Sequence, residues 1–174
     1  MYSIGETYPH TEREIMDNKT INSLEDIWPL QADLNAKSGF DTRKIGDDLN
    51  QSLAAEPASA ETADAMLAAG RCLKNYLDAM NSESQELLDC MSWKHWYAEA
   101  KAGRQYQLTD LQNARVEATD MLFFWVSICQ TLGLTPEDVY RLYEKKLGIN
   151  HKRQDENRTQ SEHSDHEHEN RDVL

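Results

Sequence analysis

The chain has 174 residues, enough for one domain with a core of its own and too few for several. Acidic residues outnumber basic ones by 31 to 18, for a formal charge of −13. That excess opposes nonspecific binding to nucleic acid or to an anionic membrane, and it suits a site that gathers divalent cations. The three cysteines, Cys72, Cys90 and Cys129, are far apart and form no C-x-x-C pair. They read as small buried hydrophobes of a reducing compartment.

The opening MYSIGETYPHTERE lacks the basic and apolar regions of a signal peptide. The stretch from Met121 to Leu134 is apolar but short, and Ser127, Gln130 and Thr131 interrupt it, so it is not expected to span a bilayer. The expected location is the cytoplasm, or the host cytoplasm if the chain is phage-encoded.

Residues 1–22 are polar and irregular. Ile27 to Leu53 reads as a helical region broken near Ser38–Gly39, with Ile27, Leu30, Leu34, Ile45, Leu49 and Leu53 turned inward. AEPASAET, Glu56 to Thr62, is a linker. A long helix follows from Ala63, with a stripe of Met66, Gly70, Leu73, Leu77, Met80, Ser84, Leu87 and Met91 at steps of three and four. Ala102–Gly103 interrupts. Another helix runs from about Leu108 to Leu132, with a stripe of Leu111, Ala114, Ala118, Met121, Trp125, Ile128 and Leu132, and Gly133 ends it. Thr135-Pro136 starts a last helix that stops near Gly148. No strand alternation and no repeat occur. The expected class is all-α, most simply an antiparallel helical bundle over 23–155. Residues 156–174, which include His163, His166 and His168, read as a disordered acidic tail.

Two carboxylate pairs stand out. Glu83 and Glu86 each lie one residue before a stripe position of the first long helix, and Glu117 and Asp120 do the same on the second. Residues three apart share a helix face, so packing through the stripes would bring four carboxylates to one flank. Such pairs are common on solvated helices, where a lysine at i+4 balances them. Here the residues four along are Leu87, Cys90, Met121 and Phe124. Clustered anions repel, and hard divalent cations resolve the repulsion through oxygen ligands.

E-x-x-E on one helix and E-x-x-D on the next resembles the metal signature of the all-α NTP pyrophosphatases, the MazG-like superfamily. ELLDCMSWKHW resembles the stretch after the first pair in dimeric dUTPases and phage dCTP/dUTP pyrophosphatases. VEATDMLFFWVSICQTLGLTPEDVYRLY, KKLGINHKRQD and LQADLN resemble their second metal helix, closing segment and first helix, in the same order over about 27–156. The chain departs from that pattern at Phe123, where the family has histidine, at Leu147 after Lys146, and at Asn157-Arg158, where the family has Gly-Tyr.

The resemblance implies an enzyme, a homodimer in which Mg2+, with Mn2+ as a substitute, serves hydrolysis of a deoxynucleoside triphosphate, dUTP or dCTP favoured, to dNMP and pyrophosphate. Glu83, Glu86, Glu117 and Asp120 would hold metal, with Glu86 as general base. Lys94, Lys146 and Arg153 would face phosphates, and Gln31, Asn35, Trp93 and Asn150 would contact the nucleotide. Each assignment has a plain alternative: WKHW as packing at a helix end, Lys146 as a C-terminal cation favouring the helix dipole, and Gln31 and Asn35 as surface amides. The whole chain also has alternatives: a purine-dNTP pyrophosphohydrolase of the same superfamily, or a catalytically silent helical nucleotide-binding or oligomerisation module.

Overall fold

A computed structural model describes residues 20–55 and 57–155. The expected acidic tail and most of the irregular N-terminal segment fall outside them. The described residues form six helices and no strand: α1 (Leu24–Lys37), α2 (Thr42–Ala55), α3 (Ala60–Asp89), α4 (Ala98–Lys101), α5 (Leu111–Thr131) and α6 (Pro136–Asp155). The protein is all-α. No helix among the described residues is long and apolar enough to cross a membrane.

Local chemistry sets the helix ends. Ser23, Ser59 and Asp110 cap α1, α3 and α5, each accepting from a backbone N–H three residues on. Gly39, with φ 89°, turns the chain at the expected break between α1 and α2. Gly133, with φ 71°, ends α5. The linker is shorter than expected, because the Ser59 cap starts α3 at Ala60.

α3 and α5 form the centre. They run antiparallel, in a register fixed by Cys72 Sγ against Thr131 Oγ1 at 3.4 Å, Ser84 Oγ to Met121 Sδ at 3.9 Å and Asn113 Nδ2 to Cys90 Sγ at 3.4 Å. α2 crosses both, with Gly46 against the end of α5. A Cβ at Gly46 would stand 2.8 Å from Gly133 Cα and nearer still to the Gln130 carbonyl oxygen. α1 lies on α5, and α6 packs only against α1 among its larger contacts, with no buried residue of its own.

The seam between α3 and α5 differs from the expected stripes. Its buried positions on α3 are Thr62, Ala69, Cys72 and Tyr76, and on α5 they include Ala114, Glu117, Ser127 and Thr131. Apart from Ala114, which belongs to the predicted stripe, these lie beside the predicted stripes on each helix. Small side chains let two helices approach within the usual 8–10 Å, so the bulky stripe residues move to the rim. Met66, Leu77, Leu111 and Leu132 are exposed there. In α1 and α2 the expected inward positions Leu34 and Leu53 are exposed, while Gln31, Asn35, Thr42 and Gly46 are buried with Leu49.

A loop joins α3 to α5. Its neck is closed by Ser92 N to the Gln107 carbonyl at 3.0 Å, Tyr106 N to the Ser92 carbonyl at 3.1 Å and Thr109 N to the Cys90 carbonyl at 2.9 Å.

Candidate metal and nucleotide site

The polar seam brings the carboxylates together. With Cys72 opposite Thr131, the antiparallel register sets Glu83 level with Glu117 and Asp120. One carboxylate oxygen from each of these three lies within 4.8 Å of the other two. Glu117 is buried at 7 % exposure, and Glu83 and Asp120 are half-buried.

Burial pushes the Glu83 carboxyl above its usual range, and a hydrogen bond shared with Glu117 adds to the shift. Repulsion from Glu86, Glu117 and Asp120 acts in the same direction. A raised carboxyl is what three crowded anions produce when nothing positive compensates them.

Glu86, expected as a fourth ligand, stands apart from this triad. It is exposed, and it accepts a long bond from Ser82 Oγ at 3.4 Å. It remains close enough to act electrostatically on Glu83.

Three oxygen donors suit a hard cation. Ligands on opposite sides of Mg2+ at about 2.1 Å would be about 4.2 Å apart, so the triad needs only small rotamer adjustments. The donor set therefore fits the expected Mg2+, or Mn2+ in its place.

Beside the triad lies a cleft of about 390 Å3 whose wall includes Glu83 and Asp120. Gln31, Asn35 and Asn75 contribute amides to it, and Phe40, Tyr76 and Phe124 contribute rings. Tyr76 packs edge-on against Phe40 at 5.7 Å. Its Oη is buried and has no partner in hydrogen-bonding geometry. Burial pushes this phenol up to about 12, Cys72 adds to the shift, and the nearby Ser127 hydroxyl opposes it.

Gln31 and Asn35 are not the surface amides that the plain reading made them. Gln31 Nε2 donates to Asn35 Oδ1 at 2.9 Å and to Ser127 Oγ at 3.1 Å. Asn35 Nδ2 donates to Ser127 Oγ at 2.9 Å and to Thr42 Oγ1 at 3.1 Å. Thr42 Oγ1 in turn donates to Gln130 Oε1 at 2.7 Å, and Gln130 Nε2 donates to the Trp28 carbonyl at 2.7 Å. This buried network pins α1 and α2 to α5, and it fixes the amides at the back of the cleft. A second cleft, of about 510 Å3 and mostly apolar, shares Gln31, Leu34 and Phe123 with the first.

The other expected site residues lie elsewhere. None of Trp93, Lys94, Lys146, Asn150 and Arg153 lines the cleft. WKHW is not a helix end but the start of the α3–α5 loop. Trp93 Nε1 donates to Asp89 Oδ1 at 2.9 Å, and Lys94 Nζ stands 5.0 Å from the Trp93 ring centre and 5.6 Å from that of Tyr97. Lys146, Asn150 and Arg153 do share a side of α6, as their spacing implied, at half-buried, exposed and half-buried positions.

The structure adds Phe40, Asn75, Tyr76, Asn113 and Phe124, which the sequence reading passed over. Two of these had a signal. Tyr76 is seven residues before Glu83, on the same helix face. Asn113 is four before Glu117, the spacing at which a helical side chain meets its neighbour. No protein-family model, curated protein or solved structure matches the chain.

Proposed function

We propose that the protein is a Mg2+-dependent pyrophosphohydrolase of a deoxynucleoside triphosphate, releasing dNMP and pyrophosphate. The observation that carries this reading is the convergence of Glu83, Glu117 and Asp120 from two antiparallel helices, two of them, Glu83 and Asp120, at the wall of a ring- and amide-lined cleft. Carboxylates facing a polyphosphate would repel it, and bound Mg2+ would supply the charge that reverses this and polarises the scissile bond.

In this reading Glu83, Glu117 and Asp120 hold the cation, and their crowding keeps a strong preference for one. Glu86, one turn beyond Glu83 and open to solvent, is the candidate to take the proton of the attacking water. Phe40, Phe124 and the Tyr76 ring offer faces for a base, and the fixed amides Gln31 and Asn35 offer polar selection. The preference for dUTP or dCTP rests on the resemblance of LQADLN, WKHW and the Asn150–Gln154 segment to pyrimidine-specific enzymes. The cations Lys94, Lys146 and Arg153 reach a triphosphate only if loop and helix close over the cleft or a second copy supplies them.

Assembly with a second copy belongs to the same proposal. α6 exposes Tyr140, Tyr143 and Leu147 at steps of three and four, and α3 exposes Met66 and Leu67. Apolar side chains clustered on an exposed helix face in this way are often covered by a partner.

Pyrophosphate release across dUTP, dCTP, dTTP, dATP and dGTP, with and without Mg2+, tests the reading. Mg2+-dependent release that is lost in Glu86→Gln and in Glu117→Gln is the expected result. Release unchanged by EDTA overturns the metal chemistry. A tenfold lead for dATP or dGTP, about 1.4 kcal/mol of transition-state discrimination, overturns only the pyrimidine preference. Absence of release from every dNTP leaves the silent-module reading in its place.

A further inference from the structure

We infer that Asn113 is the positioning residue of the carboxylate triad, holding Glu117 in place for its cation. The inference rests on the proposed cation site and concerns a residue outside the triad. Asn113 Nδ2 donates to Glu117 Oε1 at 2.9 Å and to Cys90 Sγ at 3.4 Å. A carboxylate only accepts, so the nitrogen of this amide must face Glu117, and its two hydrogens account for the two contacts.

Both ends of the tether are anchored. Asn113 N is held by the capping Asp110 Oδ1 at 2.9 Å. Cys90 caps the C-terminus of α3 and is 4 % exposed. Its carbonyl accepts from Thr109 N and from Thr109 Oγ1, both at 2.9 Å. One amide thus ties the end of the helix bearing Glu83 to the carboxylate of the helix bearing Glu117 and Asp120.

A second observation points to an occupant of the cleft that Glu83 and Asp120 border. Tyr76, 5 % exposed and with an unpartnered Oη, lines this cleft. Glu117 is the most buried of the three carboxylates and the one for which free rotation would be most damaging. The bond from Asn113 to Oε1 restricts the rotation of this carboxylate while it stands within 4.8 Å of its two neighbours. Partners of this kind around metal ligands change affinity by about 10–100-fold when removed.

The test is Mn2+ titration of the full chain, followed by the paramagnetic resonance of free Mn2+. Wild type, Asn113→Ala, Asn113→Gln and Glu117→Gln are compared, and thermal melting in EDTA is recorded for each. Asn113 is exposed, so its truncation leaves the core intact. Asn113→Ala is expected to bind Mn2+ about tenfold more weakly with its EDTA melting temperature close to wild type. Asn113→Gln keeps a donor at helical reach of residue 117 and is expected to recover most of the loss. If Asn113→Ala fails to fold, Asn113→Leu fills the same space without a donor and must show the same weakening. Wild-type affinity in the donorless variant, with binding lost in Glu117→Gln, overturns the role of Asn113 alone. Equal binding by wild type and Glu117→Gln overturns the cation site, and this inference with it.

Discussion

Glu83→Gln removes one charge from the triad and nearly nothing else, and it separates the cost of the site from its use. Two unit charges 4.8 Å apart, the outer bound on the triad's spacing, repel by about 3.5 kcal/mol at an effective dielectric of 20. Glu83 meets two such neighbours within the triad, but it is only half-buried, so solvent screening removes most of this. A net relief of about 1 kcal/mol is a reasonable residue, or roughly 2–4 °C in melting temperature for a chain of this size. The gain has a pH signature. The folded chain holds the Glu83 proton to higher pH than the unfolded chain does, so the penalty is absent below the ordinary carboxylate range. It grows as pH rises through the raised value. Thermal melts of wild type and Glu83→Gln in EDTA, near pH 4 and near pH 7.5, read it directly. The variant should melt higher at pH 7.5, match wild type at about pH 4, and lose the stabilisation that Mg2+ gives wild type. A variant that melts lower in EDTA at neutral pH, or one that Mg2+ still stabilises fully, refutes the crowded-anion account of this site.

Gly46→Ala should destabilise by about 3 kcal/mol, the upper end of overpacking, because the new methyl meets backbone of the Gln130–Gly133 turn rather than a movable side chain; chemical denaturation measures it, and an unchanged midpoint shows that α2 does not cross α5 so closely. Asp138 is held below its usual carboxylate range by Arg141 and by the backbone and hydroxyl of Thr135. It therefore supports the start of α6 above the ordinary Asp range, and this support is lost as pH falls through the depressed value. Asp138→Asn should flatten that acid limb in a helicity-versus-pH curve, and a parallel curve rules the contribution out. Light scattering at micromolar concentration should give a mass of about twice the 20.0 kDa chain, with Tyr143→Asp shifting it toward monomer; a wild-type monomer removes the assembly proposal.

The helices and the breaks between them could be read from residues that act locally, although the last helix runs on to Asp155, past the stop expected near Gly148, and α3 starts earlier than expected on its Ser59 cap. The turn at Gly39, the stop at Gly133 and the antiparallel succession of two long helices follow from backbone preference and periodicity, which a linear pattern carries. The carboxylates were legible too, because an E-x-x-E or E-x-x-D pair on one face without a cation at i+4 is a local anomaly. Tertiary structure decided which face turned inward. A count of apolar residues chose Leu73, Leu77 and Leu132 for the seam, but close approach of α3 and α5 favoured Ala69, Cys72, Ser127 and Thr131, and so placed Glu83 and Glu117 in the interface itself. Gln31 and Asn35 went to the interior for a related reason. Thr42, Ser127 and Gln130, far apart in the chain, satisfy their hydrogen bonds there, and no local pattern records that. Glu86 shows the converse. Its spacing from Glu83 is helical, yet three residues turn a helix by about 60° short of a full turn, and that rotation is enough to set one carboxylate in the triad and leave the other in water.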